Sequence, residues 1–139
     1  MNKQILLICV ISLLWIACQS KDDQKTEFTT LLETTKGWNG DTLPEYPEGQ
    51  PKITILKAVI PPHTKLDVHK HTVINAAVLL DGELTVVTKV GDTLHVRSGD
   101  AFEEVVNIWH YGINDSNKPA ELIIFYAGIE GETNTILKK

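Results

Sequence analysis

The residues best equipped for chemistry cluster in "HKHTVINAAVLLDGEL", from His69 to Leu84. His69 and His71 stand two positions apart, and in an extended chain such residues share a face. Two imidazoles on one face can converge on one ion, but a metal shell takes at least a third protein ligand. His110 is the candidate, placed after a Gly-Asp turn (Gly99 and Asp100) and an intervening strand. The run "GDAFEEVVN" adds two adjacent carboxylates, Glu103 and Glu104. Neighbours on a strand face opposite ways, so one can point inward while the other points out. A solvated pair on an exposed strand is the alternative, since acids are rarely buried unpaired. A shell of imidazole nitrogen and carboxylate oxygen suits divalent Fe, Mn, Ni, Cu or Zn, and donor type does not choose among them.

The remaining polar candidates have simpler explanations. His63 follows Pro61 and Pro62 and reads as a loop residue, with lining the barrel mouth as the alternative. His95, in "TLHVR", reads as an outward strand residue or a satisfied buried histidine. Asn114 opens the turn cluster "NDSNKP". Trp109 and Tyr111 flank His110 and should face away from it, while Trp38 is placed to pack on the domain or cover its opening.

These side chains must be held by short strands. From Pro51 onward, "KITILKAVI", "TKLDVHKH", "VINAAVLL", "ELTVVTKV", "TLHVR", "AFEEVV", "NIWHYGI" and "AELIIFYAGI" are separated by turn signals, with no convincing long helix. Such spacing predicts an all-β sandwich or barrel, of a size that encloses packed side chains or one small-ligand site. Asp81-Gly82 reads as a hairpin turn. "TEFTTLLETTK" can be read as a short helix or a strand, and "GWNGDTLPEYPEGQP" as an extended loop. No repeat of solenoid or propeller period is visible.

With 139 residues and a formal net charge of -5, the chain has room for one domain and lacks the clustered cations of a nucleic-acid surface. The start, "MNKQILLICVISLLWIACQS", is different: Lys3 precedes an uncharged apolar run from Ile5 to Ala17, short for a bilayer span and suited to a secretory leader. "WIAC" resembles the lipobox of bacterial lipoproteins, with Trp15 departing from the usual Leu, and this resemblance implies lipidation at Cys18. The expected division is a leader over 1–17, a lipid-attached tether and lead-in over 18–36, and a barrel over 37–139. After cleavage Cys9 is lost and Cys18 carries lipid, so no thiol remains for a disulfide, a thiolate ligand or a nucleophile. "QSKDDQKTE" is polar enough for a flexible tether, and its "KDD" resembles a surface-export signal of some bacterial lipoproteins. The expected location is therefore the bacterial cell envelope, at the outer membrane and reached through the lipid alone.

The order of these motifs resembles the cupin superfamily, in particular small single-domain bacterial cupins. His69-x-His71, position 75 and Gly82 follow the first cupin motif, and Gly99, His110 and Asn114 follow the second. The resemblance covers about Ile53 to Gly128. It implies a single antiparallel cupin barrel, a double-stranded β-helix or jelly roll, with a metal ion held by His69, His71 and His110. Four positions depart from the pattern: His63 and Asn107 replace glycines, Val105 replaces a proline, and Asn75 stands where cupins usually place a glutamate ligand. A neutral amide there weakens the hold on a divalent ion and leaves the ion a stronger Lewis acid. Asn75 can equally hold a water or orient a substrate from behind the ligands. Some small cupins carry a glutamate where Glu104 lies, so Glu104 is expected as the inward carboxylate, either a fourth ligand or an acid/base beside the ion. Glu104 and Asn75 are thus the catalytic candidates.

Three functions remain open. One is a metal-dependent enzyme of dioxygenase or isomerase type acting on an organic oxyacid, phenol or sugar-like molecule. Another is a tethered barrel that captures a small ligand or the metal itself. The third is a barrel that has lost its ion, which Asn75 favours. Cupins often dimerise through outer strands, and "ELIIFYAGI" is apolar enough to be buried on both faces, so a homodimer is also expected.

Overall fold

The computed structural model describes residues 25–139. The expected leader and the expected lipidation position, Cys18, lie outside them. Among the described residues no helix is long and apolar enough to cross a membrane.

Ten strands follow one another: β1 (Pro51–Ile60), β2 (Thr64–Lys65), β3 (His69–His71), β4 (Ile74–Asp81), β5 (Glu83–Thr88), β6 (Thr93–Arg97), β7 (Ala101–Glu103), β8 (His110–Asn114), β9 (Ala120–Ile129) and β10 (Thr135–Leu137). They form two sheets. One has the order β1-β9-β4-β7; the other runs β10-β3-β8-β5-β6, with β2 also paired to β8. All of these strand pairings are antiparallel. The fold is the all-β double-stranded β-helix that the motif spacing predicts.

Alternation sets the core. In β4 the inward residues Asn75, Ala77 and Leu79 are buried, and in β9 Leu122 and Tyr126 face the same interior. Leu84 and Val86 of β5 and Val96 of β6 close it from the other sheet. Trp38 packs against this cluster from the loop before β1. The outer side of β9 is less covered than its composition suggests: Phe125 is exposed, and so are Ile53 and Ile55 on the neighbouring edge strand β1.

Two expectations are corrected and one strand is added. Asp81-Gly82 is a corner between sheets and not a hairpin, because β4 pairs with β7 and β9 whereas β5 pairs with β6 and β8. Gly82 has φ 83, and a side chain there would meet the Pro119 carbonyl oxygen at 2.5 Å, so the corner demands glycine. The segment from Thr26 to Thr35 is neither helix nor strand. Its Phe28 is 94% exposed, with no apolar surface among the described residues covering it. Finally, "ETNTILKK" contains β10, which sequence reading left unassigned; it zips onto β3 from Thr135↔His71 to Leu137↔His69.

Two departures from the motif acquire a backbone meaning. His63 and Asn107, which stand in place of glycines, are the two non-glycine residues with positive φ among those described, at 53 and 61. The motif's glycines suit this left-handed conformation, and asparagine tolerates it better than most side chains.

Candidate metal centre

The site lies where the two sheets face each other. β3 points His69 and His71 inward, and β8, paired through His69↔His110, brings the third imidazole beside them. Ring centroids are 5.1 Å apart for His69 and His71, 4.5 Å for His69 and His110, and 4.9 Å for His71 and His110. The fourth donor comes from the opposite sheet. β7 runs along β4 with Ala76↔Glu103, and the Glu104 amide then donates to the Asn75 carbonyl at 3.1 Å. Glu104 is therefore the backbone neighbour of Asn75, and its carboxylate reaches the place that the motif assigns to a side chain at 75. One donor atom from each of His69, His71, Glu104 and His110 lies within 4.8 Å of the others.

Each imidazole is oriented from behind. His69 Nδ1 donates to the Asp67 carbonyl at 2.7 Å and His110 Nδ1 to the Ile108 carbonyl at 2.8 Å. A carbonyl only accepts, so Nδ1 carries the proton in both rings and Nε2 is free to face the centre as a lone pair. His71 Nδ1 is bonded to the Thr135 hydroxyl at 3.0 Å. Thr135 belongs to β10, so the C-terminal strand reaches back to fix a site residue that lies 64 positions earlier. This arrangement is the outer shell that metal-binding histidines require.

The centre brings acceptors together that a proton or a cation must join. Glu104 Oε2 touches His71 Nε2 and lies 3.5 Å from His110 Nε2. With Nδ1 protonated, Nε2 and a carboxylate oxygen are both acceptors and repel unless a proton or an ion lies between them. Burial alone would raise the Glu104 carboxyl, yet hydrogen bonds and charge from His110 and His71 hold it well below the usual carboxylate range. Burial would likewise lower His110, and the Glu104 partner reverses this and raises it. His69 is lowered, chiefly by burial and further by its two imidazole neighbours, despite the opposing Asp67 carbonyl. The same donor set that shares protons here fits a divalent ion, which would displace them.

The other predicted residues fall into place around this centre. Asn75 is buried at 0% exposure on the inner face of β4, and neither its oxygen nor its nitrogen has a hydrogen-bond partner. Glu103 points to the outer side of the sheet, as alternation requires, but it is not solvated. It is buried beneath the turn at Gly37, where a Cβ would stand 3.2 Å from its Oε2, and both its oxygens lack partners. Burial and the adjacent Glu104 push it up to about 7. His63 is an exposed loop residue against Asn117, and His95 is exposed against Thr85. Asn114 pins the segment after β1: its Nδ2 donates to the carbonyls of Ile60, Pro61 and Lys118. Trp109 and Tyr111 face outward under lysine side chains.

Sequence reasoning missed Thr135, Tyr126 and Gly112. Tyr126 stacks edge-on to His71 at 5.5 Å and lines the cavity above the donors. Its even-numbered parity with Leu122 along β9 was the available signal. Gly112 lies two residues beyond His110 on the same inward face of β8, and strand parity again could have shown it.

Comparisons with known proteins agree with this geometry. The cupin domain model matches residues 56–126, just over half of the chain. A search of curated protein sequences returns no match. Among solved structures, the fold is similar to the DMSP lyase DddQ from Ruegeria pomeroyi, with a TM-score of 0.54 and 16% identity over 62% of this chain and 43% of that one. It is also similar to a conserved protein with a double-stranded β-helix domain from Klebsiella pneumoniae, with TM-score 0.54, 18% identity, and coverage of 68% and 92%. The polyketide cyclase RemF from Streptomyces resistomycificus aligns with TM-score 0.53 and 13% identity over 66% of this chain and 64% of the cyclase. The chain spans less than half the length of the lyases it resembles. At these identities the likeness is one of fold, and with the domain match it places this chain in the cupin family.

Proposed function

We propose that this chain is a metal-dependent cupin acting on a small organic molecule, with His69, His71, His110 and Glu104 holding one divalent transition-metal ion. One observation carries the proposal: four mutually close donors, three of them buried, line a cavity of about 310 Å3. When bound, the ion supplies Lewis acidity toward an oxygen of the substrate. The chain's own groups supply orientation and proton handling. His69 is the least buried of the four donors. Glu104 Oε2, beside His71 and His110, would be the group placed to take a proton from a bound substrate. Asn75, with a buried amide that finds no partner among the described residues, orients a water or a substrate atom behind the donors.

Dioxygenase-like and isomerase-like reactions both fit this reading, and the fold alone does not select between them. A non-catalytic binding barrel is the second reading. It is favoured by the cavity walls, where Tyr126 is the one polar side chain beyond the four donors. The proposal also includes attachment to the bacterial envelope through a lipid on Cys18, supported by the "WIAC" sequence. It includes pairing of two copies through the outer face of β1 and β9, supported by the exposed Ile53, Ile55 and Phe125.

The test is to load the full chain with Fe(II), Mn(II), Co(II), Ni(II), Cu(II) or Zn(II) and follow both oxygen uptake and loss of oxyacids and phenols. Turnover with one of these metals that His71→Ala abolishes is expected. Saturable binding with no loss of any compound would move the protein to the second reading.

A further inference from the structure

The chemistry of the cavity beyond the donors narrows the ligand. Its walls are Ala58 and Ile60 of β1, Leu66, Leu84 and Val86, and Leu122 and Ile124 of β9. No lysine or arginine lines it, and Glu104 is its one carboxylate. A divalent ion held by three neutral imidazoles and one carboxylate leaves a single net positive charge. A monoanion that chelates there makes the assembly neutral, which is the state a low-dielectric apolar cavity favours. A dianion would leave a second charge with no cation to meet it, and a polyol would find only the Tyr126 hydroxyl beyond the donors for its several hydroxyls.

Size points in the same direction. A cavity of about 310 Å3 lies at the small end of the range for small-molecule sites. Gly112 sets the width beside the histidines. A Cβ at Gly112 would lie 3.2 Å from Leu66 Cδ1, close enough that Leu66 must give way, and in ordinary contact with Leu84 Cδ1 at 3.5 Å. The space next to His110 is open because position 112 is glycine.

We infer that the cavity selects a small monoanion with a chelating oxygen head and an uncharged apolar tail, of the kind a branched-chain 2-oxo or 2-hydroxy acid presents, and rejects dianions and sugars. This rests on the metal-binding reading above and narrows its substrate class. The head is taken by the centre, the tail lies along Leu84, Leu122 and Ile124, and Gly112 with Leu66 limits its girth near the head.

The test compares acids that share one head. The full chain is loaded with Co(II), and binding of 4-methyl-2-oxopentanoate, 2-oxoglutarate and pyruvate is followed by calorimetry and by the visible Co(II) bands. The apolar-tailed acid is expected to bind at least tenfold more tightly than either of the others and to perturb the bands. Leu84→Lys, which places a cation on the wall, is expected to narrow or reverse its preference over 2-oxoglutarate. Gly112→Ala is expected to weaken the tailed acid more than pyruvate, and equal weakening would count against its role. Equal or tighter binding of 2-oxoglutarate to the wild-type cobalt protein, or no binding of either acid, overturns the inference and leaves the metal site standing. Absence of Co(II) bands overturns both.

Discussion

Glu103 and Glu104 are separated by one peptide bond and sit on opposite sides of the same sheet, and their surroundings drive them in opposite directions. On the inner side Glu104 meets His71 and His110, which hold its carboxyl far below the usual range. On the outer side Glu103 is covered by the turn at Gly37, finds no donor, and is pushed up to about 7. Both residues are buried, at 4% and 8% exposure, so burial does not separate them. Partners do. A buried acid with imidazoles around it is an anion ready for an ion, and a buried acid without them keeps its proton.

The contrast can be broken most forcefully on the inner side. Glu104→Gln removes the one anionic donor and should lower affinity for a divalent ion at least ~100-fold, read by competition with a chromogenic chelator. Glu103→Gln should leave metal affinity within about twofold in the same assay, since its side chain is on the far side of the sheet.

The outer side is tested by pH. Glu103 has a folded value of about 7 against an ordinary 4.5, so the folded state keeps a proton that the unfolded chain releases. Stability from this group is greatest below 4.5, falls as pH rises toward about 7, and is level above it. The loss is up to ~3 kcal/mol. Urea unfolding of the metal-free protein across this range should show the fall in wild type, and Glu103→Gln should flatten it and be more stable by ~1–3 kcal/mol at pH 8. A Glu103→Gln variant with an unchanged slope would show that the group ionises freely in the folded state.

A smaller effect sharpens the inner half. Thr135→Val removes the hydroxyl behind His71 while keeping the branched shape β10 needs, and should lower metal affinity roughly ten- to a hundredfold with the fold intact. Metal binding should also weaken as pH falls through the imidazole range, with His110, raised by Glu104, taking a proton ahead of His69, which burial lowers. Titration of bound metal against pH in wild type and Thr135→Val separates orientation from protonation.

Much of this was legible in the sequence because strand alternation is a local property. The parity of His69 with His71, and of Glu103 against Glu104, follows from the pleat, and the Gly-rich corners mark where strands end. What was not legible depends on pairing across the molecule. Asp81-Gly82 has hairpin composition, yet the strands it joins belong to different sheets, and no local signal distinguishes a corner from a hairpin. β10 is three residues long and is defined by its pairing to β3, so Thr135 could be linked to His71 only once that register was known. The motif reading put Asn75 in a ligand's place, while the route by which Glu104 arrives beside it runs through the β4–β7 pairing. The burial of Glu103 depends on the loop at Gly37, which folds over the sheet from far along the chain.

The central claim is that these four donors bind one metal ion, and its most direct test is metal content. Elemental mass spectrometry on wild-type protein after reconstitution, beside His71→Ala and Glu103→Gln, should find near-stoichiometric metal in wild type and Glu103→Gln and almost none in His71→Ala. Wild-type protein that holds no metal under any loading condition, or His71→Ala that holds as much as wild type, would contradict the account.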